Sequence, residues 1–260
     1  MGIRPLILFV AAALAATVAP AQSGNAVLDP SKTSVPTPQP KALSPEDRGD
    51  ILMAEKKYRD AIDAYREGAA KDPVLLNKTG IAYHQLMQLD NARKYYQQAI
   101  RYKSDYMEAI NNLGTIYYAK KSYRRAISYY NRAIKVAPDD PRSASVYSNL
   151  GTAYFARKDY PDATKAYETA LRLDPDVFEH HGNFGSMLEE RSIEERAKYH
   201  FYIAKLYAKS GRSELAIQYL RKALEEGFKD KKKLEEDSDF ASLRDMADFK
   251  KLLELQPRVL

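Results

Sequence analysis

Four histidines and no cysteine are what this 260-residue chain offers a metal or a thiolate mechanism. His180 and His181 are neighbours, while His84 and His200 lie far from them in sequence and no carboxylate stands at a ligand spacing. A zinc-type site would therefore need an accident of folding, and packing or surface roles are expected instead. The missing cysteines remove disulfides, sulfur-ligated metals and lipid attachment through an N-terminal cysteine. No nucleophile–base motif, phosphate loop or paired catalytic carboxylate stands out, so no catalytic residue, metal or cofactor is expected. What does recur at fixed spacing is an amide: Asn112, Asn149 and Asn183 each stand two residues before a glycine. An asparagine side chain both donates and accepts, which suits it to gripping a peptide backbone without regard to its side chains.

Those asparagines sit inside a repeated word. "NKTGIAYH" begins at 77, "NNLGTIYY" at 111, "SNLGTAYF" at 148 and the worn "GNFGSMLE" at 182, so the glycines are Gly80, Gly114, Gly151 and Gly185. Downstream of the first three comes Ala-x3-Tyr-x2-Ala, as Ala92/Tyr96/Ala99, Ala126/Tyr130/Ala133 and Ala163/Tyr167/Ala170, and two copies end in Pro138 and Pro175. Gly80 and Gly114 are 34 residues apart, as are Gly151 and Gly185. The apolar spacing within each word is helical.

A 34-residue unit with Leu-Gly-x2-Tyr in one helix and Ala-x3-Tyr then Pro in the next resembles the tetratricopeptide repeat. An earlier unit keeps only the second word, through Ala61, Tyr65, Gly68 and Pro73, and a last one puts Ala204, Tyr207, Ala216 and Ala223 in the repeat slots. The resemblance covers residues 44–227 in about five to six units. It implies an all-α solenoid, a right-handed superhelix of antiparallel helix pairs. Small residues mark close helix crossings and tyrosines fill the space beside them, which assigns packing to Gly80, Tyr83, Ala92, Tyr96, Gly114, Tyr117, Ala126, Tyr130, Gly151, Tyr154, Ala163, Tyr167 and Gly185. Pro138 and Pro175 end their helices at the turn before the next unit. The stretch 178–201 lacks the tyrosine word, and whether it is a whole degenerate repeat or one extra helix stays open. Beyond Gly227, Phe240, Leu243 and Met246, then Phe249, Leu252 and Leu253, repeat at helical spacing and read as a helical cap over 228–260.

In such a superhelix the first helix of each unit lines the concave side. Residues on its far face from the glycine are Asn111, Asn112, Thr115 and Tyr118, then Asn149, Thr152 and Phe155, with Asn183 in the irregular unit. The resemblance implies a peptide-binding groove there, similar to the asparagine ladder of some tetratricopeptide proteins. The same asparagines serve equally well as hydrogen bonds between units. A clamp for a C-terminal carboxylate is not expected, because Lys78 is the lone basic residue in the asparagine slot.

Ahead of the repeats, "MGIRPLILFVAAALAATVAPAQS" has Arg4, an apolar run from Leu6 to Val18 and a small-x-small site ending at Ala21. It reads as a signal peptide over 1–21, with an uncleaved anchor as the alternative. Residues 22–43, with Pro30, Pro36, Pro38 and Pro40, read as a disordered linker. Export to a bacterial periplasm or beyond follows, with no membrane span after cleavage. A formal charge of +6 without a long basic block argues against nucleic acid. The chain thus reads as a non-catalytic interaction module of the cell envelope with a protein or peptide partner. An assembly factor working through its convex face or cap is the alternative, and an enzyme accessory subunit a weaker one.

Overall fold

The computed structural model describes residues 42–179 and 192–254, and the described residues are helical throughout, without strands. The signal-peptide segment, the linker through residue 41, His180, His181, Asn183 and Gly185 lie outside them. Four antiparallel pairs come first: α1 (Pro45–Ala54) with α2 (Tyr58–Gly68), α3 (Pro73–Gln85) with α4 (Leu89–Tyr102), α5 (Met107–Ala119) with α6 (Tyr123–Ile134), and α7 (Ala144–Ala156) with α8 (Tyr160–Leu173). A fifth pair, α9 (Ile193–Lys209) and α10 (Ser213–Glu225), is followed by α11 (Lys231–Glu236), a 3-10 turn and α12 (Ala247–Glu254).

Helix starts follow the local chemistry. Ser44 accepts from the Asp47 backbone N–H at 3.1 Å and Pro45 takes the first helical position. Asp72 accepts from Val74 and Leu75 ahead of α3, whose first residue is Pro73. Between units three and four the chain is longer, and the extra length is wound into the 3-10 turn Pro141–Ser143, capped by Asp140.

Each turn inside a pair has one construction. The residue seven past the glycine slot is left-handed: Lys56 (φ 59°), Met87 (59°), Lys121 (56°), Lys158 (66°) and, in the last pair, Gly211 (77°). The N–H after it then reaches back five residues, as in Lys57 to Leu52 at 2.8 Å and Ser122 to Tyr117 at 2.8 Å. This double closure ends the first helix and reverses the chain.

The pairs close on a glycine–tyrosine contact repeated at one offset, 16 residues, in Gly49/Tyr65, Gly80/Tyr96, Gly114/Tyr130 and Gly151/Tyr167. A Cβ on Gly114 would lie 2.6 Å from Tyr130 Cε1, and one on Gly80 or Gly151 2.5 Å from its tyrosine. Only a residue without a side chain lets the helices approach this closely. Ala92, Ala126 and Ala163 are fully buried at the same crossings. In the last pair Ala204 takes the glycine slot and Leu220, 16 residues on, replaces the ring; both are fully buried in one cluster.

First helices α5 and α7 are buried round most of their circumference, whereas second helices such as α6 bury one stripe. A first helix touches its own partner and both neighbouring units, while a second helix keeps one side in water. At the C-terminus Leu234, Phe240, Leu243, Phe249 and Leu252 join the cluster of α9 and α10, with Phe201 stacked on Phe228 at 4.4 Å. Lys205 fixes this segment through Asp237 (2.7 Å) and Asp239 (3.1 Å).

Candidate functional site

Successive first helices are joined by a column of side-chain bonds with one rule. The residue two before the glycine slot bonds the residue three before it in the preceding unit. Asn112 Nδ2 donates to Asn77 Oδ1 at 3.0 Å, and Asn149 Nδ2 donates to Asn111 Oδ1 at 3.0 Å. In the first step the slots hold Lys78 and Glu46, whose ion pair is 2.7 Å long. Lys78 also bonds Asp50 at 2.6 Å, and Asp50 accepts from Tyr65 Oη at 2.7 Å. Burial opposes charge on both Lys78 and Asp50, yet the mutual bonds win: the ammonium is held above its ordinary value and the Asp50 carboxyl below its own. The column thus runs from one charged rung to neutral amide rungs.

Asn77, Asn112 and Asn149 are buried, at 4, 8 and 7 % exposure, so the inter-unit role of these asparagines is realised. Each rung uses half of each amide. Asn111 accepts at Oδ1 and Asn112 donates at Nδ2, which leaves the Asn111 N–H2 and the Asn112 carbonyl oxygen without a bond among the described residues. These two residues line a pocket of about 420 Å³ spanning three units. Asn77 and Ile81 come from α3, Met107 and Glu108 from α5, and Arg142, Ser145 and Val146 from the 3-10 turn and α7. Ile81, Met107 and Val146 make its apolar wall, and Arg142 reaches Glu108 at 3.5 Å across its rim.

Four residues expected on the groove are elsewhere. Thr115, Tyr118, Thr152 and Phe155 are 2, 5, 0 and 4 % exposed. Thr152, one past the glycine, points at the partner helix: its hydroxyl donates to the Ser148 carbonyl at 2.9 Å and lies 3.1 Å from Tyr167 Oη. Thr115 holds the same slot and bonds the Asn111 carbonyl at 3.2 Å. Tyr118 and Phe155, four past the glycine, pack against Tyr123 and Tyr160 at 5.3 and 5.2 Å between centroids. Asn111, Asn112 and Asn149 stay on the column, and the pocket adds Ser145, Glu108 and Arg142.

The residue one past the glycine differs between units and accounts for the buried tyrosine hydroxyls only in part, since Tyr130, with Thr115 in that slot, has no hydrogen-bond partner among the described residues. Tyr65 has Asp50 and Tyr167 has Thr152, but Tyr96 faces Ile81, and its hydroxyl is buried without a partner. Tyr83 and Tyr117 do not fill the glycine crossings; they stack on Tyr95 and Tyr129 at 5.3 and 5.1 Å. Burial holds His84 neutral, below its ordinary value, and does the same to His200 despite Glu226 Oε2 at 2.6 Å from its Nδ1.

Tetratricopeptide-repeat models match residues 46–106, 105–176 and 197–226. This chain belongs to the tetratricopeptide-repeat family. Its repeat array is similar in fold to PilF of Pseudomonas aeruginosa, at 19 % identity and a TM-score of 0.52, over 73 % of this chain and 78 % of that one. MamA of Desulfovibrio magneticus RS-1 aligns at 18 % identity with a TM-score of 0.47, over 70 % of this chain and 92 % of its own. The "Uncharacterized protein ycf37" of Porphyra purpurea is 32 % identical over 71 residues, which is 27 % of this chain; the match spans 41 % of that curated relative's length.

Proposed function

We propose that this tetratricopeptide-repeat protein is a non-catalytic scaffold that holds an extended peptide segment of a partner protein across α3, α5 and α7. The observation that carries the reading is the 420 Å³ pocket, in which one unused amide donor (Asn111) and one unused acceptor (Asn112) flank an apolar wall. That pairing matches the N–H and C=O that an extended backbone presents along its length, and the wall takes one apolar side chain. On the rim Arg142 is shared between Asp140 at 2.8 Å and Glu108 at 3.5 Å, which leaves no unpaired cation there for a ligand, so recognition rests on backbone and shape more than on an anionic ligand group. The N-terminal apolar segment supports export to the envelope as the place of action.

The test keeps the column intact and fills the pocket. Ser145 is exposed and lines it without belonging to a rung. A crosslinked pull-down from the envelope fraction with wild type and Ser145→Tyr is expected to lose one partner with the variant at unchanged thermal stability. Retention of every partner by a folded Ser145→Tyr protein contradicts the groove.

A further inference from the structure

The turns inside the helix pairs lie along one edge of the stack. Lys120, at the third turn, bonds Asp90 at the start of α4 at 2.6 Å, which sets the second and third turns side by side. The left-handed position of this row holds lysine in three pairs, at Lys56, Lys121 and Lys158, although it disfavours every residue but glycine. Among the described pairs only the last uses glycine, at Gly211.

Neither ion pairing nor helix dipoles account for these lysines. The nearby acids are engaged by other cations: Glu55 by Lys57, Asp90 by Lys120, Asp159 by Arg157 and Asp176 by Arg212. Lys56, Lys121 and Lys158 are exposed and have no ion-pair partner among the described residues. A helix C-terminus does favour a cation, but each of these turns also carries the N-terminus of the next helix, and the two ends oppose each other. Between Lys56 and Lys121 the row presents Met87, 63 % exposed.

We propose that this edge docks on an anionic membrane surface, with Lys56, Lys121 and Lys158 facing phosphate headgroups and Met87 entering the headgroup boundary. Cations with an exposed apolar side chain fit a lipid surface better than a nucleic-acid backbone, which offers the methionine nothing. The proposal is independent of the groove.

The experiment measures partitioning of the full chain onto phosphatidylcholine vesicles with and without phosphatidylglycerol. The ratio of the two partition coefficients reports the anionic preference, because binding by the apolar N-terminal segment enters both. Each surface lysine contributes about a five-fold factor at low salt, so Lys56→Gly/Lys121→Gly/Lys158→Gly is expected to lower the ratio about a hundred-fold. Glycine relaxes the turns, so this variant melts no lower than wild type and its loss of binding is not unfolding. An unchanged ratio overturns the proposal. So does an equal fall with Lys71→Gln/Lys103→Gln/Lys135→Gln on the opposite edge, or release of wild type from the vesicles by duplex DNA.

Discussion

Replacing Gly114 by alanine tests the packing rule on which the first four described helix pairs rest. The new Cβ would lie 2.6, 2.8 and 3.2 Å from Tyr130 Cε1, Cδ1 and Cζ, where ordinary contact begins near 3.4 Å. Tyr130 is fully buried, so its ring has nowhere to swing, and α6 must move out by several tenths of an ångström. Overpacking at such a site costs about 3 kcal/mol, at the upper end of its usual range, while alanine gains about 1 kcal/mol over glycine in a helix interior. The net loss is about 2 kcal/mol, a melting shift on the order of 4–8 °C for an array of this size. Calorimetry or urea titration reads it directly. The last pair, Ala204 with Leu220, supplies the rescue. Tyr130→Leu alone costs about 2 kcal/mol for lost volume, so additive effects would make the double variant about 4 kcal/mol less stable. With the clash removed and the helix gain of alanine kept, the double variant should lose only about 1 kcal/mol, a coupling of about 3 kcal/mol between the sites. A Gly114→Ala protein as stable as wild type, or strictly additive variants, would refute the argument.

Tyr96→Phe removes a buried hydroxyl without a partner and should stabilise the protein by about 1 kcal/mol, whereas Tyr167→Phe leaves Thr152 without its ring partner and should destabilise by about 1 kcal/mol; chemical denaturation of both gives the contrast. Met87→Gly relieves a left-handed turn and should add about 1 kcal/mol in the same assay, with Gly211→Ala moving the other way. Burial keeps His84 neutral in the fold while the unfolded chain takes up a proton near its ordinary value of about 6.5, so stability is complete above that pH and falls as the pH drops through it towards the lower folded value. His84→Phe places in this slot the residue type that Phe155 supplies two units on, and should flatten that part of the stability–pH curve; an unchanged slope shows that His200 or the carboxylates set it.

The fold was legible because its determinants are local words. Gly114 and Tyr130 belong to one helix pair, and their spacing recurs as Gly49/Tyr65, Gly80/Tyr96 and Gly151/Tyr167. Gly49 escaped because "RGDILMA" lacks the leucine and tyrosine of the word; its one signal was the 16-residue offset to Tyr65. The column of rungs was half legible. The slot of Asn112 and Asn149 stands out by repetition, but their acceptors, Asn77 and Asn111, sit one residue earlier in the unit before, and only stacking brings the two slots together. Thr115, Tyr118, Thr152 and Phe155 were placed on the groove by treating a first helix as having one buried face. In the stack it is enclosed by its partner and by both neighbouring units, so the polar side of the wheel turns inward as well. Ser145 and Arg142 join the pocket through the 3-10 turn, whose course no periodicity encodes.

The central claim is that a partner segment lies across α3, α5 and α7 at the pocket. A photocrosslinking side chain placed at Ser145, and separately at the exposed Gln97 on α4, reads this most directly in the intact envelope fraction. The account predicts one discrete adduct from position 145 and none from 97. Adducts from 97 with none from 145, in proteins of equal stability, would place the partner on the outer face and contradict it.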